Sequence, residues 1–339
     1  MAPRPARRLV LGGAAATVLA AALPPGGPAA AARGPDPDGR GPTDRLRALE
    51  RAHAARLGVF AHDTVTGRTV AYRADEPFPM CSTFKTIAVA AVLRDLDRDG
   101  RCLATRVHYT AQDVARAGHA PVTGLPGNLE GGLTVEELCA AAITHSDNAA
   151  ANLLLRALGG PTAVTRFCRS VGDRATRLDR WEPELNSAEP GRITDTTTPR
   201  AIGRTYARLT IGSALGPADR HRLTAWLLAC TTGAGRLRAG LPDGWTTAEK
   251  TGTGGYGTTN DVGITRPPDR GPVTVAVLST GPGPGDPPDE PLLARTAALV
   301  AAALTGGGDT GRPARRSVDG AAPVPGRYGR PNRGMTSLP

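Results

Sequence analysis

Apolar positions along this chain change period twice. From Thr43 to about Arg56 they recur at helical spacing, with Thr43 or Asp44 as a candidate cap. Alternating stretches follow at Leu57 to His62 and Arg68 to Arg73, joined across a Thr66-Gly67 turn, and predict two short strands. Between about Ser82 and Ala229 the pattern is mostly helical, clearest over Thr83 to Leu96, Thr134 to Thr144, Asn148 to Leu158, Pro199 to Ile211 and Pro217 to Cys230. Strand patterning returns at Trp245 to Thr253, Thr258 to Arg266 and Pro272 to Thr280, before a final apolar helix from about Pro291 to Leu304. Strands at both ends of a helical middle imply one sheet assembled from distant segments, with a helical domain inserted. The predicted class is α/β, of the α+β type, with the sheet part at about 43–74 and 217–305 and the helical part at about 75–216. No internal repeat is visible.

The two ends read differently. Met1 to Ala32 has a basic start (Arg4, Arg7, Arg8), an apolar run from Leu9 to Leu23, and small residues Ala30, Ala31 and Ala32 before Arg33. That is the tripartite pattern of a secretory signal peptide, cleaved near Ala32. The Arg7-Arg8 pair ahead of Leu9 suggests twin-arginine export, and the run is short for a membrane span. Pro, Gly and Asp make 33–42 a flexible mature N-terminus, and 306–339, rich in Gly, Pro and Arg, reads as a disordered tail. Charge follows these ends. The formal net charge is +10, but residues 1–33 and 306–339 carry about +4 each, leaving about +2 where a fold must lie. A nucleic-acid partner is therefore not expected.

The five cysteines, Cys81, Cys102, Cys139, Cys168 and Cys230, form no Cys-x-x-Cys pair, and the six histidines are scattered. This fits no zinc pattern, so buried free thiols are expected and no metal.

Of 41 Lys plus Arg, only Lys85 and Lys250 are lysines. A lysine that persists where arginine is favoured suggests a need for a compact amine that can give up its proton. Each sits in a chemistry-bearing string. Ser82-Thr83-Phe84-Lys85 puts a hydroxyl and an amine one turn apart on a helix face, where a desolvated amine could activate the serine; a serine cap followed by a surface lysine would read the same. Ser146-Asp147-Asn148 lies between two helices, and all three residues are also preferred caps. Lys250-Thr251-Gly252 lies in a strand, where glycine often marks close approach of a ligand or another backbone, although an edge lysine can equally be a gatekeeper. Arg180-Trp181-Glu182-Pro183-Glu184-Leu185-Asn186 reads as a loop in which Glu182 and Asn186 could pin a water. Arg180 and Asp195 flank that loop and could close its neck.

Together, Ser-x-x-Lys, Ser-Asp-Asn and Lys-Thr-Gly are the motif set of class A β-lactamases and penicillin-binding proteins. With the Glu182 loop, residues 45 to 305 resemble a class A serine β-lactamase. The resemblance implies an antiparallel five-stranded sheet flanked by helices, with the site between it and the helical part. It makes Ser82 the nucleophile, Lys85 its proton acceptor or relay, Ser146 a proton donor to the lactam nitrogen, and Glu182 with Asn186 the deacylation station. Asn148 would bind the substrate amide, Lys250, Thr251, Gly252 and Thr253 its carboxylate region, and backbone N–H groups of Ser82 and Thr253 the oxyanion. Arg236 matches the position of a second cation near the carboxylate, since the alternative strand position is Thr259. His119 stands where an aromatic gatekeeper is common. The expected partner is a small β-lactam, with no cofactor, no membrane span and a monomeric state. Positions that carry disulfide partners for Cys81 and Cys139 in other members are Gly254 and Val89, so neither bridge is expected. Two rivals share the motifs: a D,D-peptidase, or a sensor that stays acylated. The deacylation station argues against the peptidase, and sustained turnover would separate the lactamase from both.

Overall fold

The computed structural model describes residues 41–306. The proposed leader, nearly all of the segment 33–42, and the tail beyond Gly306 lie outside the described residues. Pro42 does not belong to a flexible lead-in. It occupies the first helical position of Pro42–Ala52, capped by Gly41, because its fixed φ suits that position and its missing N–H costs nothing there. This helix ends at Ala52, four residues earlier than the pattern predicts, where the chain turns through Ala54 at φ +46° into the strand Arg56–Asp63.

The sheet has five strands in the spatial order Thr69–Tyr72, Arg56–Asp63, Val273–Thr280, Thr259–Arg266 and Thr246–Thr253. Every neighbouring pair is antiparallel. The N-terminal hairpin thus closes onto the last strand in sequence, with Arg56 opposite Thr280 and Asp63 opposite Val273. Alternation decides the layers: Val273, Val275 and Val277 face a cluster with Leu46, Leu292, Leu293 and Val300, while Ala276 and Leu278 face Phe78, Phe84 and Ile202. Helices Pro42–Ala52 and Glu290–Thr305 cover the first face, and Pro199–Thr210 lies against the second.

The segment between the hairpin and the last three strands is helical, as predicted, with finer detail. The expected helix Thr83 to Leu96 is three pieces: a 3₁₀ turn Cys81–Thr83, the α-helix Phe84–Ala91 and a π-helical turn Val92–Leu96. Phe84–Ala91 is buried on all sides, as a helix whose residues are apolar apart from Lys85 and Thr86 can be in the centre of a large core. Helices at Ala111–Ala117 and Thr162–Ser170 add to those predicted. Two-residue ladders join Phe78–Pro79 to Thr196–Thr197 and Arg106–Val107 to Leu133–Thr134; they are too short to leave an alternation in the sequence.

Candidate active site

The 3₁₀ turn holding Ser82 is fixed from both sides. Thr83 Oγ1 donates to Met80 O at 2.6 Å, and the buried Tyr206 hydroxyl donates to Thr83 O at 2.7 Å. Cys81, the residue before Ser82, adopts φ +45°, an unusual conformation for a side chain with a Cβ. The edge strand Thr246–Thr253 runs directly beside this turn. A Cβ at Gly252 would stand 2.8 Å from Met80 O, so the close approach that its glycine announces is to the backbone leading into the Ser82 turn.

Both lysines of the chain converge on one hydroxyl. Lys85 Nζ donates to Ser146 Oγ at 3.3 Å, and Lys250 Nζ donates to the same oxygen at 3.0 Å. Both side chains are fully buried. Lys85 also donates to Ser146 O at 2.7 Å and Asn148 Oδ1 at 2.6 Å, and pairs with Glu182 Oε1 at 3.1 Å. Burial holds Lys85 below the usual amine range, against the opposing pull of the Glu182 carboxylate. Burial likewise lowers Lys250, to about 7, with Lys85 and Arg236 adding to the effect. Ser82 Oγ donates to Glu182 Oε1 at 3.4 Å, so the serine hydroxyl and the Lys85 amine meet on one carboxylate oxygen.

Ser146 is presented at φ +58° between two helices. Its neighbour Asp147 is structural: the fully buried carboxylate caps Asn148–Ala157 through Ala150 N at 2.8 Å and accepts from Val122 N, Thr123 N and Thr123 Oγ1. Asn148 is held by donating to Ala117 O at 3.0 Å.

The loop carrying Glu182 is closed at its neck as expected. Arg180 Nε donates to Asp195 Oδ2 at 2.6 Å, and Asp195 Oδ1 accepts the N–H groups of Asp179 and Arg180. Asn186 Nδ2 donates to Glu182 Oε2, leaving Asn186 Oδ1 buried with no protein partner. Thr251 Oγ1 meets Thr232 Oγ1 at 2.5 Å. Arg236 is buried: it donates to Gly252 O and Asn260 O at 2.9 Å and to Thr253 Oγ1 at 2.8 Å, and pairs with Glu290 at 3.0 Å. Its guanidinium therefore does not face solvent. His119 sits exposed at the rim with Nε2 3.2 Å from His145 O, and its backbone carbonyl accepts from Asn148 N at 2.8 Å.

Three contributors escaped sequence reasoning. Asn152 brackets the backbone of Glu182, accepting from its N–H at 3.0 Å and donating to its carbonyl at 2.9 Å; its place four residues after Asn148, on the same helix face, was the available signal. Thr232 and Glu290 act through Thr251 and Arg236, and nothing local in the sequence marks them. All five thiols are unpaired. Four are buried as expected, and Cys102 is only partly so.

A helix-borne serine beside a buried amine, with a loop carboxylate on the same hydroxyl, is the arrangement of groups that nucleophilic acyl transfer requires. The chain belongs to the β-lactamase enzyme family, whose model matches residues 41–304. It is 65% identical over 301 residues to a β-lactamase of Streptomyces lavendulae, covering 89% of this chain and 98% of that one. Among solved structures it is similar to the β-lactamase of Streptomyces albus G (TM-score 0.76, 63% identity, covering 77% of this chain and 98% of that one). It is also similar to a variant of the last common ancestor of Gram-negative bacterial class A β-lactamases (TM-score 0.74, 49% identity, covering 78% and 98%). Among the described residues no helix is long and apolar enough to cross a membrane.

Proposed function

We propose that this enzyme opens the β-lactam amide of penicillin- and cephalosporin-type antibiotics through an acyl-enzyme on Ser82, and so confers resistance to them. The observation that carries the assignment is the convergence of Ser82 Oγ and Lys85 Nζ on Glu182 Oε1. Ser82 attacks the lactam carbonyl while Lys85, held below the usual amine range by burial, takes up or relays its proton. The backbone N–H groups of Ser82 and Thr253 receive the oxyanion, a contribution of roughly 3 kcal/mol per donor in comparable sites. Ser146 accepts from two lysines, so its own hydrogen is free to be donated to the departing lactam nitrogen. Glu182 then acts as general base on a water that Asn186 Oδ1 helps to hold. Asn148 binds the substrate's side-chain amide; Lys250, Thr251, Gly252 and Thr253 receive its carboxylate, with Arg236 as a second cation behind them. His119 forms the rim of the acyl pocket.

We further propose the division into a sheet part (43–74 and 217–305) and a helical part (75–216) with the site at their seam, and export of a monomeric protein by a twin-arginine leader cleaved near Ala32. The 306–339 tail takes no part in this reading.

Incubation with a chromogenic cephalosporin tests the activity: sustained turnover is expected, and a single stoichiometric burst would favour a peptidase or a sensor instead. Glu182→Ala should turn the first behaviour into the second; a variant that still turns over freely would remove Glu182 from deacylation.

A further inference from the structure

The face of strand Thr246–Thr253 turned away from Lys250 carries two buried acids that the proposed reaction does not use. Glu249 and Asp261 are both fully buried. In the register Glu249 is opposite Gly263 and Asp261 opposite Thr251, which makes the two carboxyl groups diagonal neighbours on one face, within hydrogen-bond reach of each other. Donors are scarce around them. Asp261 Oδ2 accepts from Leu237 N at 3.2 Å. Arg238 Nε lies 2.9 Å from Glu249 Oε1 without hydrogen-bond alignment, its other nitrogens being given to the carbonyls of Cys230, Leu228 and Thr247. Glu249 Oε2 and Asp261 Oδ1 have no donor. Nor is there room to bring one in, since a Cβ at Gly233 would stand 1.8 Å from Glu249 Oε1.

Two ionised carboxylates do not persist in such a place, whereas one proton between them supplies the missing hydrogen bond. We propose that Glu249 and Asp261 share a single proton, carried by Glu249 and donated to Asp261, and that the one negative charge they keep positions Lys250 by holding it as an ammonium. Burial moves the protonation range of both acids upward; the Asp261 carboxylate adds to the shift of Glu249, whereas Arg236 and the hydrogen bond from Glu249 restrain that of Asp261. The groups facing the pair are Arg236, Arg238, Lys250 and the Cys230 thiol. Lys250 is pushed toward neutrality by its burial, by Lys85 and by Arg236, and Asp261 opposes them. This inference rests on the reading of Lys250 as the cation that receives the substrate carboxylate.

Isosteric amides make the test, in the full chain. Glu249→Gln presents an oxygen to Arg238 and an N–H to Asp261, reproducing the protonated acid, and Asp261→Asn leaves Glu249 free to carry the same single charge. Each alone should keep kcat, KM and the alkaline midpoint of KM for a carboxylate-bearing penicillin within about twofold of the parent. Glu249→Gln/Asp261→Asn together remove the charge, and the midpoint should fall by about one pH unit with kcat retained below it. A midpoint moved by either single substitution would show two ionised acids, and one unmoved by the double would show two neutral acids; both outcomes overturn the proposal. Infrared spectroscopy of the substrate-free protein should show a buried protonated-carboxyl stretch that each single variant loses. Its absence from the parent also overturns the shared proton, whatever Lys250 binds and even if the double variant fails to fold. A parent KM indifferent to esterification of the substrate carboxylate would instead defeat the reading of Lys250, with the infrared band intact.

Discussion

Asn152 and Glu182 hold each other by two hydrogen bonds between one side-chain amide and one backbone peptide, at 3.0 and 2.9 Å. Glu182, the proposed general base, is therefore positioned by a helix and not by its own loop alone. A loop is the less rigid support, and a displacement of about 1 Å at a reacting group can cost about 10²-fold in rate. Asn152→Ala should leave the acylation burst with a chromogenic cephalosporin largely intact and slow steady-state turnover by about 10²-fold. Stopped-flow kinetics separates the two steps; a variant slowed equally in both would show that Asn152 supports the whole site.

The two lysines should respond differently to arginine. Lys85 is fully enclosed, with acceptors at 2.6, 2.7, 3.1 and 3.3 Å, and a guanidinium can neither occupy that space nor give up a proton. Lys85→Arg should reduce acylation by at least about 10³-fold, a loss exceeding what a general base alone commonly supplies at its lower range. A variant acylating within tenfold of the parent would contradict the role given to Lys85.

Lys250 sets a pH dependence. With its protonation range lowered to about 7, it is an ammonium below that pH and an amine above it. Affinity for an anionic substrate, if it depends on that ammonium, should be highest on the acid side, and KM should rise as pH passes upward through about 7. Lys250→Arg stays charged throughout, so its KM profile should be flat across the same interval, with kcat reduced only modestly. Parallel profiles for parent and variant would show that another group titrates.

Asp147 predicts a stability effect separate from chemistry. Its carboxylate satisfies three backbone N–H groups and one hydroxyl in the interior, all of which lose their acceptor on truncation. Asp147→Ala should cost about 3 kcal/mol or more, read as a lower midpoint in urea denaturation; a change below about 1 kcal/mol would mean that the helix cap is dispensable.

Thiol reactivity follows burial. Cys81, Cys139 and Cys168 are buried and their ionisation is pushed up by that burial, whereas Cys102 is partly exposed. Titration of the native protein should find Cys102 reacting first, and titration in denaturant should find five free thiols. Fewer than five would reveal a bridge that the structure does not contain.

Much of this was legible along the chain. Each of the five strands was found within one residue or so of its bounds, because period-2 alternation is a local property imposed by a sheet with packed faces. Ser82 with Lys85, and Ser146 with Asn148, could be recognised for the same reason: each set lies within one turn of chain. The long helix was overextended because a π-helical turn keeps an apolar pattern that cannot be told from α by eye. The first helix starts at Pro42 and not after a Thr43 or Asp44 cap, because proline is itself suited to the first helical position.

What sequence alone determined was the inventory: one nucleophile string, a loop with a carboxylate and an amide four residues apart, and only two lysines. Tertiary structure decided which atoms meet. Lys85 and Lys250 are 165 positions apart, and that they share Ser146 Oγ depends on the Thr246–Thr253 strand lying against the nucleophile turn with nothing larger than Gly252 between them. The same packing buries Arg236 among the carbonyls of two strands. Such meetings arise from register and close packing across long chain separations, and no local pattern encodes them.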